Sequence, residues 1–222
     1  MTEFTLKPAA AVYVAPGLDL VSVRPMAFRD VDEVARIHAA SFTGFFLTAL
    51  GAPFLREFYR FALQDPGTIA FVIGEEHRPL GFVMGAVHPA NFYRRVFARG
   101  WLRFALATIM PVLRNPFVVF RILRRFSAVR QSNFEFEEAL LMSIAVRPDM
   151  QKHGLGTRLV KAFLAEARRR GKRAVSLTTD RDGNDDVNRF YVHAGFDLSY
   201  SYATAEGRQM NWYMIRLAAQ ET

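Results

Sequence analysis

The chain has 222 residues, 51% of them hydrophobic, enough for one sizeable core carrying an insertion. It has no cysteine, which excludes a disulfide framework and any thiolate-bound metal and makes a reducing, cytoplasmic setting the default expectation. Twenty-nine Lys and Arg against 21 Asp and Glu leave a net charge of +8, which favours anionic partners such as phosphates, nucleotides, nucleic acid or an acidic membrane surface.

The opening "MTEFTLKPAAAVYVAPG" lacks the basic start and continuous apolar core of a secretion signal, and no later apolar run is long enough to span a bilayer. A soluble or peripheral protein is expected, with a flexible tail over 1–17 and a single domain over 18–222. "LDLVSVRPM" alternates as a strand, and "RDVDEVARIHAASF" follows as a helix with Asp30 as N-cap and Glu33 at capping-box spacing. A second helix is spaced around Leu55, Phe58, Tyr59 and Ala62, and "DPG" ends it. "TIAFVIGE" and "PLGFVMGAV", separated by "EHR", predict an antiparallel hairpin whose Gly81 and Gly85 leave room on one face.

At about 90–133 the character changes. From His77 to Phe134 there is no Asp or Glu, and ten arginines interleave with Phe92, Tyr93, Phe97, Trp101, Phe104, Phe117, Phe120 and Phe126. This predicts a helical insertion broken at Pro111 and Pro116. "FEFEEALLMSIAV" returns to a strand pattern, and "GTRLVKAFLAEARRR" is an amphipathic helix with Gly171 as its C-cap. "RAVSLTTD" gives another strand, "DVNRFYVHA" another helix ended by Gly195, and "FDLSYSYAT" with "MNWYMIRL" a closing hairpin. The order β-α-α-β-β-insertion-β-α-β-α-β-β is that of an α/β fold, a mixed sheet with helices packed on it.

"VRPDMQKHGLGTRLV" runs from a strand through a glycine turn into a helix. The first amides of a helix have no internal partner, and the aligned peptide dipoles make that end positive, so main chain alone can hold a diphosphate there. Gly154 and Gly156 remove Cβ atoms from the approach, and Gln151, Lys152 and His153 precede it as possible side-chain donors. The stretch is neither a P-loop nor a complete dinucleotide fingerprint, since Leu159 stands at the last glycine position of the latter.

"SIAVRPDMQKHGLGTRLV" resembles the acetyl-CoA-binding motif of the GNAT N-acetyltransferase family, a strand ending V-x-P followed by [QR]-x-x-G-x-[GA] and a helix. "NDDVNRFYVHAGF" is similar to the family's later N-x-x-A-x-x-F-Y-x-x-x-G-F element, with Val187 in place of the alanine. The resemblance covers roughly Leu18 to Leu217, most strongly from Glu138 onward. It implies a mixed central sheet in which two parallel strands splay apart, with flanking helices and a helical insertion. Acetyl-CoA would lie in the splay, its pantetheine along Ile144, Ala145 and Val146. Its pyrophosphate would sit on the turn of Gln151, Lys152, His153, Gly154, Leu155, Gly156 and Thr157, and Asn184 would hold the pantetheine arm from the other side.

The same resemblance makes Tyr191 the general acid at the leaving sulfur. For the base, Glu135, Glu137 and Glu138 precede the strand core, with Glu138 pointing alongside Leu140 and Met142 and the others pointing oppositely. The glutamate that ribosomal-protein alanine acetyltransferases of the family carry on the next strand is Thr179 here, which cannot act as a base. Asp180 is expected on the other face, and His193 at the surface.

The reading is an acetyl-CoA-dependent N-acetyltransferase acting on a primary amine of a small molecule, such as an amino sugar or nucleotide-linked amino sugar. Alternatives are protein N-terminal or lysine acetylation, and a non-catalytic acyl-CoA-binding module at membranes. The insertion reads as an arginine-rich lid over the acceptor, as a contact with an anionic membrane surface, or as a packed helical subdomain or dimer interface. No nucleic-acid-reading module accompanies it.

Overall fold

The structure is a computed structural model that describes residues 21–43, 46–76, 78–114, 137–204 and 207–218. The N-terminal tail, the expected start at Leu18, Glu135, and Pro116 with the remainder of the insertion lie outside the described residues.

Seven strands form one sheet in the order β1-β2-β3-β4-β5-β7-β6. They are β1 (Ser22–Pro25), β2 (Thr68–Glu75), β3 (Arg78–Ala86), β4 (Glu138–Val146), β5 (Ala174–Asp180), β6 (Asp197–Ala203) and β7 (Gln209–Arg216). β4 and β5 run parallel, and every other neighbouring pair is antiparallel. The helices are α1 (Val31–Ser41), α2 (Phe46–Ala49), α3 (Gly51–Leu63), α4 (Phe92–Arg114), α5 (Leu155–Arg169) and α6 (Asp185–His193).

Two hydrophobic clusters sandwich the sheet. α5 buries Leu155, Leu159, Phe163 and Ala167, one stripe of an amphipathic helix, against Ile73, Val83, Ala139, Leu141 and Val175, and Tyr191 of α6 joins them. On the opposite face α1, α3 and α4 bury Val34, Phe54, Phe58, Tyr59 and Phe92 against Val72, Phe82, Met84 and Ala145. Gly85 sets how closely β3 approaches β4 and α5: a Cβ there would lie 2.1 Å from the Leu140 carbonyl oxygen and 2.6 Å from the Phe163 ring. This is the room on one face that the hairpin glycines predict.

β4 carries an irregularity. Met84 of β3 faces Ser143 and Gly85 faces Leu141, which leaves Met142 as an extra residue, a β-bulge. The bulge reverses the strand's phase. Ala139 and Leu141 before it, and Ile144 and Val146 after it, all face α5, whereas Met142 and Ala145 face the α1 side.

Two local expectations differ from the structure. Asp30 does not cap α1 with its side chain. Its buried carboxylate accepts two hydrogen bonds of 2.7 Å from Arg24 and one of 2.8 Å from the Ala27 N–H, tying β1 to the turn before α1. A buried carboxylate is held best where a guanidinium can meet both oxygens, and this outweighs a single capping bond. The insertion's helix runs through Pro111 and departs from helical geometry instead at Gly100 (φ −122°, ψ 18°). A Cβ at 100 would lie 2.3 Å from the Phe61 ring, so the close crossing of α4 on α3 fixes the kink.

Candidate active site

The site begins where β4 and β5 stop pairing. Their ladder has three rungs, Glu138–Ala174, Ala139–Val175 and Leu140–Ser176, after which β4 runs on to Val146 and β5 to Asp180 without partnering each other. β4 stays bonded to β3 on its other side, and β5 to β7, so the two strands are held apart rather than frayed. A wedge opens between them, with one backbone edge of Ile144, Ala145 and Val146 turned into it without a strand to pair.

The chain leaves β4 at Val146, makes a short 3-10 turn (Pro148–Met150) and enters α5 at Leu155. Gly154 is left-handed (φ 75°) and a Cβ on it would meet nothing within 4 Å. Lys152 is left-handed too (φ 65°). No side chain caps the helix, and its first turn closes with Arg158 N–H to the Gly154 carbonyl (3.2 Å). The amides of Leu155, Gly156 and Thr157 therefore precede the first intrahelical donor. Gln151, Lys152 and Thr157 are exposed around this end, and His153 keeps its Nδ1 buried with no hydrogen-bond partner. The residues gathered here form an uncapped, cationic, amide-lined seat opening on solvent. Gly156 has a second reason to lack a side chain, because a Cβ there would stand 3.3 Å from the Phe190 ring of α6.

α6 borders the wedge from the β5 side, and a polar network holds it there. Asn184 donates to Thr179 Oγ1 (2.8 Å) and to the Asp180 carbonyl (3.1 Å). Asn188 donates to the Asp180 and Asn184 carbonyls and accepts from Asn211 Nδ2 (2.9 Å) and the Tyr213 hydroxyl (3.0 Å). Asn188 is a site-building residue that the sequence analysis passed over, although it lies one helical turn beyond Asn184. Tyr191 is 6% exposed, its ring set among Phe190, Phe196 and Tyr213 at centroid distances of 5.2, 5.9 and 6.0 Å. Burial raises its phenol's pKa, so it is protonated across the physiological range.

Of the proposed bases, Glu138 is 4% exposed and occupies the first rung of the β4–β5 ladder, on the face away from α5. Ser176 lies on the same face at the last rung, fully buried, with its hydroxyl lacking a hydrogen-bond partner. A buried unsatisfied hydroxyl destabilises a fold by about 1–3 kcal/mol, so its position at the wedge apex is informative. The sequence offered no signal that sets it apart from Thr178, Thr179 and Asp180 of the same strand. Tyr200 of β6 stacks on Trp212 of β7 (5.6 Å, 10°), and burial together with the Glu138 charge raises the pKa of its phenol.

Glu137 is not gathered with these. It pairs with Arg173 (3.4 Å) at the surface and lines a cleft of about 470 Å³ with Gly67, His88, Arg170 and Lys172, beside the C-terminal end of α5 and one helix length from the Gly154 turn. Asp180 is engaged by Arg208 (2.7 Å), and exposed His193 donates from Nδ1 to the Arg189 carbonyl (2.7 Å).

The arrangement can hold an extended anionic ligand, its diphosphate on the α5 amides and its arm in the wedge, with its tip at the Leu140–Ser176 rung. Solved structures share this architecture. A putative GNAT acetyltransferase from Desulfovibrio desulfuricans aligns with a TM-score of 0.60 at 18% identity, covering 89% of this chain and 99% of its own. The putative acetyltransferase yncA from Salmonella typhimurium, solved with its cofactor acetyl-CoA, aligns at 0.58 and 14% identity, covering 91% and 96%. The ribosomal-protein-S18-alanine N-acetyltransferase from Escherichia coli aligns at 0.52 and 15% identity, covering 91% and 99%. No curated protein sequence matches the chain. Residues 31–196 match the sequence model of the acetyltransferase (GNAT) family, three quarters of the chain and both glycine-turn and α6 motifs within it, and the protein belongs to that family.

Proposed function

We propose that the protein transfers the acetyl group of acetyl-CoA to a primary amine of a small molecule, an amino sugar or a nucleotide-linked amino sugar. The observation that carries acetyl transfer is the wedge beyond the Leu140–Ser176 rung, which ends at an uncapped helix start. In this reading the amides of Leu155, Gly156 and Thr157, with Gln151, Lys152 and His153, bind the pyrophosphate. Ile144, Ala145 and Val146 pair with the pantetheine, and Asn184 holds its arm across the wedge.

The amine nitrogen attacks the thioester carbonyl carbon. The C–S bond breaks as the C–N bond forms, the nitrogen loses a proton, and the sulfur of coenzyme A gains one. Glu138 takes the amine's proton, directly or through a water, and the Tyr191 phenol supplies the sulfur's. Glu137, at the surface and paired with Arg173, is the lesser candidate for the base. Support for a sugar acceptor comes from the Tyr200–Trp212 stack, a flat aromatic surface beside a buried carboxylate, which suits the face of a sugar ring carrying an amine.

The reading of the protein as a peptide or lysine acetyltransferase has one observation in its favour. β6 is the sheet's edge strand and is exposed along its whole length, so it offers a backbone edge to a peptide. Thiol release from acetyl-CoA, measured across amino sugars, nucleotide-linked amino sugars and peptides, separates the two. Turnover with the sugars is expected. Turnover with peptides alone would transfer the assignment to protein acetylation, and acetyl-CoA binding without turnover on any amine would leave a binding module. Tyr191→Phe is expected to preserve acetyl-CoA affinity and to slow turnover about tenfold to a hundredfold, and an unchanged rate would remove the acid role.

A further inference from the structure

α4 has two apolar faces, and among the described residues only one of them is seated. Phe104 packs on Phe54 (5.2 Å) and Phe61 (5.5 Å) of α3, with Phe97 at 4.7 Å. Beyond the Gly100 kink, Trp101 (68% exposed), Leu102 (55%), Leu106 (59%) and Ile109 (49%) project from the other side. Their spacing puts them on a single stripe of the helix. Four large apolar side chains in one stripe exceed the scatter of single exposed residues that any surface carries.

What borders the stripe is cationic. Arg94, Arg99 and Arg103 are exposed on α4. Arg99 and Arg103 keep loose contacts of 3.4 and 3.6 Å with Asp65 and Glu57 of the α3 side. Along the sequence the same segment holds ten arginines and no acid from His77 to Phe134. Apolar side chains with Trp among them, flanked by arginine on a helix that carries no carboxylate of its own, match the boundary between acyl chains and anionic headgroups. A second copy of the chain would set these arginines against their own kind. A nucleic acid would give Leu102, Leu106 and Ile109 nothing to bury. Among the described residues no helix is long and apolar enough to cross a bilayer, so the contact would lie in the plane of the surface.

We infer that the Trp101–Ile109 face of α4 docks on the surface of a bilayer containing anionic phospholipid, with Trp101, Leu102, Leu106 and Ile109 in the headgroup–acyl boundary. The docking holds the enzyme beside amine acceptors at that surface, and it stands whichever amine is acetylated. The test uses the full chain with vesicles of phosphatidylcholine, either pure or with about a third phosphatidylglycerol. Trp101 and Trp212 are the only tryptophans, so a Trp212→Phe background reports Trp101 alone.

The protein is expected to float with the anionic vesicles and not the neutral ones, with a blue shift of Trp101 emission, and to be released by salt. Leu106→Glu with Ile109→Glu should lower the bound fraction about tenfold or more while leaving acetyl-CoA binding intact. Absence of flotation, or flotation indifferent to those substitutions, overturns the inference. So does a concentration-dependent dimer that the same substitutions dissolve, which would give the face to a second copy. A Trp101 emission already blue without vesicles and unmoved by them would give it to another part of this chain.

Discussion

The two faces of the sheet reach close packing by opposite means. On the α5–α6 face side chains are withheld: Gly85 lets β4 and Phe163 approach, Gly156 admits the Phe190 ring, and Gly154 leaves open space at the helix start. On the α1–α3–α4 face they are crowded in, with Phe54, Phe58, Phe97 and Phe104 in ring contact and one buried polar pair, His38 Nδ1 with the Tyr59 hydroxyl (2.6 Å), among them. The first face leaves the main-chain amides at the start of α5 uncapped and open to solvent. The second packs its aromatic side chains under α1, α3 and α4 and leaves one apolar stripe on the outside of α4.

The contrast breaks most severely at Gly85. A methyl there would meet a backbone carbonyl that cannot rotate away, so Gly85→Ala is expected to lower stability by about 3 kcal/mol or more. The midpoint of urea unfolding measures it, and an unmoved midpoint would mean that β3 and β4 are not held as closely as described.

On the aromatic face the weak point is titratable. Burial lowers the His38 pKa to about 4. An unfolded chain takes up that proton near 6.5, so between these values the unfolded state binds more protons, and stability is full above about 6.5 and falls as the pH drops toward 4. The loss is on the order of 3 kcal/mol. Thermal unfolding across that range should reveal it, and His38→Gln should flatten the dependence.

Next in size is the helix start. Gly154→Glu is expected to weaken acetyl-CoA binding about a hundredfold by setting a negative charge where the diphosphate would lie. Gly154→Asn tolerates the left-handed backbone and should fold and bind far better, so calorimetry on the pair separates charge from backbone strain. The smallest effect is expected at Gly156, where the Phe190 ring has to give only a few tenths of an ångström. Gly156→Ala should shift stability by less than about 1 kcal/mol, and a large loss would show that α5 and α6 cannot move apart at all.

How much of this was legible in the sequence follows the same division. The turn at Gly154 could be read because it depends on backbone geometry that few residues permit, the Asn184–Tyr191 stretch because its residue types and spacing resemble a family motif, and the element order followed from periodicity. What tertiary contacts decide could not be read. Asp30 stands where a cap would, but Arg24 on β1 claims it. Pro111 looked like the break in α4, but the Phe61 ring makes Gly100 the kink. Glu137 and Glu138 are neighbours in sequence, and only the structure separates them, with Glu138 buried on the first rung of the ladder with β5 and Glu137 in a surface cleft. Ser176 is one of several polar residues in "RAVSLTTD", and only the structure shows its hydroxyl buried without a hydrogen-bond partner.

Met142 bears on how such a protein can vary. The bulge takes up one surplus residue, so that Ile144 and Val146 share the face of Ala139 and Leu141 and β4 stays paired with β3 on both sides of it. Substitutions at Met142 should leave the cleft open, and deleting Met142 should restore regular pairing with β3 while keeping Ile144 and Val146 on the α5 face, whereas losing a second residue would turn the rest of the strand to the opposite faces.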